Sequence, residues 1–129
     1  MTTETLIILL TFVLALVYYL MPAYFAVANS GLLALAGSRD DVSVGEKMAA
    51  QRAERANANF KETVPWAIGL LILVQVTGDA NGATALGGWI YLICRVLYIP
   101  LYLMGIPFAR SIVWTISIVG LIMIAWQLL

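Results

Sequence analysis

The chain alternates long apolar runs with short polar segments. A helix needs about 20 mostly apolar residues to cross the hydrocarbon core of a bilayer. Four runs meet that length, at about residues 5–28, 56–76, 84–104 and 108–128. The second helix is expected to begin in water at about residue 44 and to enter the membrane further along. The pattern predicts an all-α fold, an integral membrane four-helix bundle that forms one domain over residues 1–129.

Composition supports this prediction. The 129 residues are 63% hydrophobic and only 11% charged, with a mean hydropathy of +0.96. Soluble domains average about 45–50% apolar and about 25% charged residues, so a soluble fold of this size could not bury so much apolar surface. Seven basic residues balance seven acidic ones, and this leaves no basic excess to favour nucleic acid as a partner.

Two residue types limit the chemistry. The sequence has no histidine, which argues against a haem or zinc centre, and we expect no metal site. Cys94 is the one cysteine, so an intrachain disulfide is ruled out.

Helix two carries a polar stripe. Arg52, Arg55, Asn59 and Glu62 follow one another at intervals of three, four and three residues, a spacing that places them on one helix face. Only sixteen uncharged residues separate Glu62 from Asp79. Because that is short for a membrane span, the stripe is expected to lie inside the bundle. Ionisable residues at membrane depth are costly and usually mark a functional site.

Helix three carries a second stripe. Arg95, Tyr98 and Tyr102 stand at positions i, i+3 and i+7 of one face, and Arg110 follows at the start of helix four. Unpaired ions in hydrocarbon are expensive, so each stripe needs the other stripe, a neighbouring subunit or a ligand. The arginines outnumber Glu62 on these faces. A ligand with carboxylates would complete the balance.

The same spacing permits a purely structural interpretation. Arg52 and Arg55 could extend to the lipid headgroups while Glu62 pairs with Arg95, and the stripes would then only hold helices together. The two tyrosines of helix three could be membrane-interface residues, and Arg110 could be a topology anchor.

The basic residues also predict the orientation. All of them lie on or near the connections between spans one and two and between spans three and four: Arg39, Lys47, Arg52, Arg55, Lys61, Arg95 and Arg110. Lysine and arginine favour the cytoplasmic side of a membrane. The first and third connections are therefore expected in the cytoplasm and both termini on the opposite side.

Two motifs in combination resemble those of the MAPEG family, the membrane-associated proteins in eicosanoid and glutathione metabolism. The first is Arg52-x-x-Arg55-Ala-x-x-Asn59-x-x-Glu62-Thr-x-Pro65, and the second is Arg95-x-x-Tyr98-x-x-x-Tyr102 followed eight residues later by Arg110-Ser111. The length and the four-span pattern agree with that family over essentially the whole chain.

The resemblance implies a homotrimer that binds glutathione between subunits near the cytoplasmic side, while a lipophilic co-substrate enters from the membrane lipids. It implies that Arg110 stabilises the glutathione thiolate. The glutathione-binding residues that it implies are Arg52, Arg55, Asn59, Glu62, Arg95, Tyr98 and Tyr102.

Two departures from the family pattern favour a general detoxifying transferase or peroxidase over a specialised eicosanoid synthase. Ala58 stands where some eicosanoid-synthesising members have another arginine, and the turn before Arg110 is short. A non-enzymatic lipid-binding or scaffold member of the same family is the main alternative. A small four-span transporter is disfavoured, because the first span has no ionisable residue.

Overall fold

The protein is all-helical over the residues that the structure describes. A computed structural model describes residues 1–30 and 44–129, and of residues 26, 28–30 and 44–47 it describes the backbone alone. The four helices are α1 (Thr3–Ser30), α2 (Val44–Thr77), α3 (Gly82–Leu103) and α4 (Pro107–Trp126). Each is long and apolar enough to cross a membrane, which confirms the prediction of an all-α fold with four candidate membrane spans. The charges expected on the first connection, such as Arg39, lie outside the described residues.

Helix length separates α2 from the others. At a rise of about 1.5 Å per residue, the 34 residues of α2 extend about 51 Å, more than the ~30 Å hydrocarbon core. An α2 that crosses a membrane along the bilayer normal would therefore extend beyond the apolar layer at one end. The 22 residues of α3 extend about 33 Å, close to a single crossing.

The turns explain where α2, α3 and α4 begin or end. Gly78 has φ +83, a left-handed conformation that favours glycine, and it follows the last residue of α2. Asn81 then caps α3: its side chain accepts hydrogen bonds from the backbone N–H groups of Ala83 and Thr84, and the Thr84 hydroxyl completes a capping box. Pro107 opens α4 at a position that needs no N–H donor.

Glycines allow α3 to sit at the centre of the bundle. A Cβ on Gly88 would lie 2.8 Å from the Cδ1 of Ile7 in α1 and 3.2 Å from a methyl of Leu71 in α2. The preceding residue, Gly87, faces α4. Two adjacent glycines thus let α3 approach three other helices at short range.

Polar side chains tie the helices together at the end that carries the α2–α3 turn. Gln75 accepts hydrogen bonds from the hydroxyls of Thr2 (2.6 Å) and Thr5 (2.8 Å). The Thr84 hydroxyl donates to the buried carboxylate of Glu4 at 2.7 Å. Side-chain hydrogen bonds therefore join α1, α2 and α3 at this end of the bundle. This end lies a full helix length from the C-terminal end of α3.

The outward faces of the helices are apolar. Large side chains such as Phe12 (59% exposed), Ile93 (53%) and Ile122 (57%) lie on the surface of a single chain. So much exposed apolar surface is unusual for a soluble monomer, and it fits a protein surrounded by lipid.

Candidate functional site

The centre of the candidate site is Arg95 on α3, which is completely buried. Its Nη1 donates a hydrogen bond to Oδ1 of Asn59 at 2.8 Å, and its Nη2 donates to the Thr63 hydroxyl at 2.7 Å. Both partners are on α2. The two stripes predicted from the sequence therefore meet at Arg95 and Asn59.

Aromatic rings surround this guanidinium. Its Cζ lies 5.6 Å from the ring centroid of Tyr91 and 5.3 Å from that of Tyr98, both within range of a cation–π interaction. Tyr18 of α1 donates its hydroxyl to the backbone oxygen of Arg95 at 2.7 Å. Helices α1, α2 and α3 thus all contribute to the surroundings of one cation.

The charge of Arg95 has no carboxylate partner among the described residues, since its side-chain hydrogen bonds go to an amide and a hydroxyl. Glu62, which the structural interpretation paired with Arg95, is exposed. In the described part of the chain, Nε of Arg95 is also the only buried side-chain nitrogen or oxygen without a hydrogen-bond partner. A buried cation with neutral partners leaves this region electropositive.

A second guanidinium lies at the start of α4. The Cζ of Arg110 is 4.7 Å from the ring centroid of Tyr102, and that ring is 5.5 Å from the ring of Tyr98. A continuous row of two tyrosine rings therefore joins the two guanidiniums.

Arg52 adds a third guanidinium at the C-terminal end of α3. Its Nη1 donates to the backbone oxygen of Leu103 at 3.1 Å, one of the carbonyls that a helix end leaves without an internal partner. The same guanidinium lies against the α3–α4 turn, where a Cβ on Gly105 would be 3.2 Å from Nη2. Gly105 has φ +72.

The predicted stripe on α2 divides into two rows. Arg52 and Asn59 are partly buried, whereas Arg55 and Glu62 are exposed. The prediction that the whole stripe lies inside the bundle is therefore wrong for the single chain. At roughly 100° per residue, Arg52 and Asn59 point within about 20° of each other, but Arg55 and Glu62 are rotated some 60° or more from Arg52. That rotation carries them off the packed face.

An open depression of about 370 Å³ lies beside α2 and is bordered by Arg55 of the exposed row. Arg55 lines it with Gln51, Glu54 and Ala58. Its described lining residues all belong to α2, and the hydrogen-bond partners of the Arg95 side chain, Asn59 and Thr63, are not among them.

Sequence reasoning missed three residues of the site. Thr63 belongs to the first motif but is not among the predicted binding residues, and neither are Tyr91 and Tyr18. Thr63 lies four residues after Asn59, and Tyr91 lies four residues before Arg95, so both continue the polar rows at helical spacing. This spacing could have identified them. Nothing local marks Tyr18, because its contact with Arg95 joins residues 77 positions apart.

An apolar groove of about 380 Å³ lies between α1 and α3. Its lining is entirely hydrophobic and includes Leu14, Val17, Leu92 and Val96. It lies on the outer surface of the bundle, where lipid chains would surround a membrane protein.

The fold defines a class of protein: four apolar helices around a buried, electropositive site fit an integral, multi-pass membrane protein. A model of the MAPEG family matches residues 7–129, nearly the whole chain. The chain therefore belongs to the MAPEG family, as the two motifs predicted. No curated protein and no solved structure matches it significantly.

Proposed function

We propose that this protein is a membrane-bound glutathione transferase or peroxidase that acts on lipophilic electrophiles. The observation that carries the proposal is the row of guanidiniums of Arg52, Arg95 and Arg110. Their described contacts are with neutral groups: backbone or side-chain oxygens and aromatic rings. Membership of a family that includes glutathione transferases supports the same function.

The charges of the site suit glutathione, which has two carboxylates and one ammonium group. Guanidiniums bind carboxylates through paired, charge-assisted hydrogen bonds. Arg52 and Arg55 are accessible at least in part, and the exposed carboxylate of Glu62 could accept from the ammonium group. Two arginines and one acidic side chain form a complementary set.

Arg110 is the residue that we assign to the thiolate. A thiol with a pKa of about 8.5 is mostly protonated at neutral pH. A nearby guanidinium favours the anion, and lowering that pKa by one unit corresponds to about 1.4 kcal/mol of preferential stabilisation. The thiolate sulfur would then form a bond to the electrophilic carbon as the leaving group departs with its electron pair.

The assembly and orientation belong to the same proposal. Arg55 and Glu62 are exposed in a single chain, so a neighbouring subunit of a homotrimer could complete the ligand site around them. The excess of basic residues on the first and third connections supports a cytoplasmic location for those connections. The lipophilic co-substrate would enter from the bilayer, along the apolar outer surface of the helices.

The decisive experiment is an ultraviolet difference spectrum of purified protein in detergent on addition of glutathione. The wild type should show thiolate absorbance, and Arg110→Ala should lose it. Lys61→Ala is the matched control, because Lys61 is an exposed cation on the opposite side of α2 from Arg52. An absent thiolate signal in the wild type, or an unchanged signal in Arg110→Ala, would contradict the catalytic assignment.

The apolar groove between α1 and α3 favours a second candidate, a non-enzymatic lipid-binding or scaffold protein. A fatty acid that binds equally well with and without glutathione, in a protein that forms no thiolate, would support this candidate.

A further inference from the structure

Asn59 is held in one orientation by its contact with Arg95. An arginine side chain only donates hydrogen bonds, so the atom of Asn59 that faces Nη1 of Arg95 at 2.8 Å has to be the carbonyl oxygen Oδ1. The planar amide then directs its NH2 group away from Arg95. The identity of the partner therefore fixes which end of the amide faces inward.

The NH2 group of Asn59 reaches the surface. Asn59 is partly exposed, and its Nδ2 has no hydrogen bond within the described residues. Only Nε of Arg95 is both buried and unpartnered there, so Nδ2 cannot be buried as well. Asn59 thus has an NH2 group that is not fully buried and that has no hydrogen-bond partner among the described residues.

Arg95 contributes positive charge to the site but has no free surface for direct contact with a ligand in this arrangement. It is 0% exposed, two of its nitrogens are occupied by Asn59 and Thr63, and the rings of Tyr91 and Tyr98 lie beside it. Thr63 is in turn held by the Tyr91 hydroxyl at 3.0 Å. The guanidinium is a fixed, internal group.

We propose that Arg95 is a positioning residue that turns the Asn59 amide so that its NH2 group donates to a carboxylate or peptide carbonyl of glutathione. This inference rests on the proposed function. Because Oδ1 faces Arg95, the outward end of the Asn59 amide is the NH2 group, which only donates. The position is therefore specific for an acceptor and unfavourable for the ammonium group.

Asn59→Asp tests the proposal, because the two side chains have almost the same shape. The introduced carboxylate still accepts from Arg95 and gains an ion pair, so the melting temperature in detergent should stay the same or rise. Its outward atom is an oxygen in place of the NH2 group, so the Kd for glutathione should increase about 10-fold or more.

Asn57→Asp is the matched control. It adds the same charge to α2 only two residues away, on a partly buried residue with no described contact to Arg95. Its glutathione affinity should change less than about 3-fold, as expected for a partly screened charge. If both variants weaken glutathione binding equally, general repulsion between the added carboxylate and glutathione explains the result and the proposal fails.

Arg95→Lys tests the positioning step. Lysine keeps the charge but lacks the planar fork that donates to Asn59 and Thr63 together. It should weaken glutathione binding in the wild-type background and cause no further loss in the Asn59→Asp background, because the two residues act as one unit. Additive losses would contradict a role through Asn59.

The outcomes separate this inference from the function on which it rests. A wild type that binds no glutathione overturns both. A wild type that binds glutathione, with an Asn59→Asp variant of equal affinity, overturns the positioning role of Arg95 alone.

Discussion

Gly87 of α3 and Gly120 of α4 face each other where the two helices cross. A Cβ on Gly87 would lie 2.5 Å from the backbone oxygen of Gly120, and a Cβ on Gly120 would lie 2.6 Å from the backbone oxygen of Gly87. Neither backbone can yield as a flexible side chain could. This reciprocal contact sets the closest approach of α3 and α4, and it fixes α4 relative to the helix that carries Arg95.

Gly87→Ala should therefore destabilise the protein by about 1–3 kcal/mol, the usual cost of forcing extra volume into a packed contact. Chemical unfolding in mixed detergent measures the change. Gly69→Ala is the control, because a Cβ at that exposed position of α2 meets nothing within 4 Å. It should be neutral or stabilising by up to about 1 kcal/mol, since alanine favours a helix more than glycine does. Equal losses in both variants would contradict a specific helix crossing.

Tyr18→Phe should reduce the free energy of unfolding by about 0.5–1.5 kcal/mol, the net value of one hydrogen bond. The substitution removes the hydroxyl that donates to the Arg95 backbone but keeps the ring, which stacks on Phe60 at a centroid distance of 4.3 Å. Tyr19→Phe, at the next and largely exposed position, should change stability by less than about 0.5 kcal/mol. Indistinguishable melting temperatures for the two variants would show that the Tyr18 hydroxyl does not contribute.

The helices and the face of α3 could be predicted from the sequence because both depend on local periodicity. The length of an apolar run can be counted in the sequence, and it predicts a helix that could cross a membrane. The spacing of Arg95, Tyr98 and Tyr102 by itself places them on one side of a helix. The observed contacts between Tyr98 and Tyr102, and between Arg95 and Tyr98, agree with that placement.

The division of the α2 stripe could not be predicted in the same way. Residues at intervals of three and four share a broad face, but the position of α3 decides which part of that face is covered. Asn59 falls under α3 while Glu62 does not. The glycine contact between α3 and α4 is likewise a property of two helices, and no spacing within either helix indicates it.

Thr63→Val should cost about 1–3 kcal/mol, the penalty of leaving a buried charged donor without its acceptor. Valine has the same shape as threonine, so the loss reports the hydrogen bonds of the Thr63 hydroxyl, from Nη2 of Arg95 at 2.7 Å and with the Tyr91 hydroxyl at 3.0 Å. Thr115→Val is the matched control, because that exposed hydroxyl bonds only to the Ser111 backbone within α4. Thermal unfolding of both variants measures the difference. Equal and small shifts would show that water or lipid replaces Thr63 as the partner of Arg95.

The turn between α3 and α4 offers a test of Arg52 that does not alter Arg52 itself. Gly105→Ala places a methyl group 3.2 Å from the Arg52 guanidinium and imposes a left-handed backbone on alanine, which costs about 1–2 kcal/mol. Gly78→Ala imposes the same backbone strain, with φ +83 and nothing within 4 Å of the added methyl. The two variants should therefore lose similar stability.

Only Gly105→Ala should alter the site, because the added methyl group displaces the Arg52 guanidinium by a few tenths of an ångström and weakens its hydrogen bond to the Leu103 backbone. If Arg52 binds a glutathione carboxylate, its displacement should raise the Kd about 3- to 10-fold, in keeping with the loss of part of a charge-assisted contact. Isothermal titration of both variants at the same temperature provides the measurement. Matching losses of affinity in Gly78→Ala would attribute the effect to reduced stability, and unchanged affinity in Gly105→Ala would show that Arg52 supports the turn without touching the ligand.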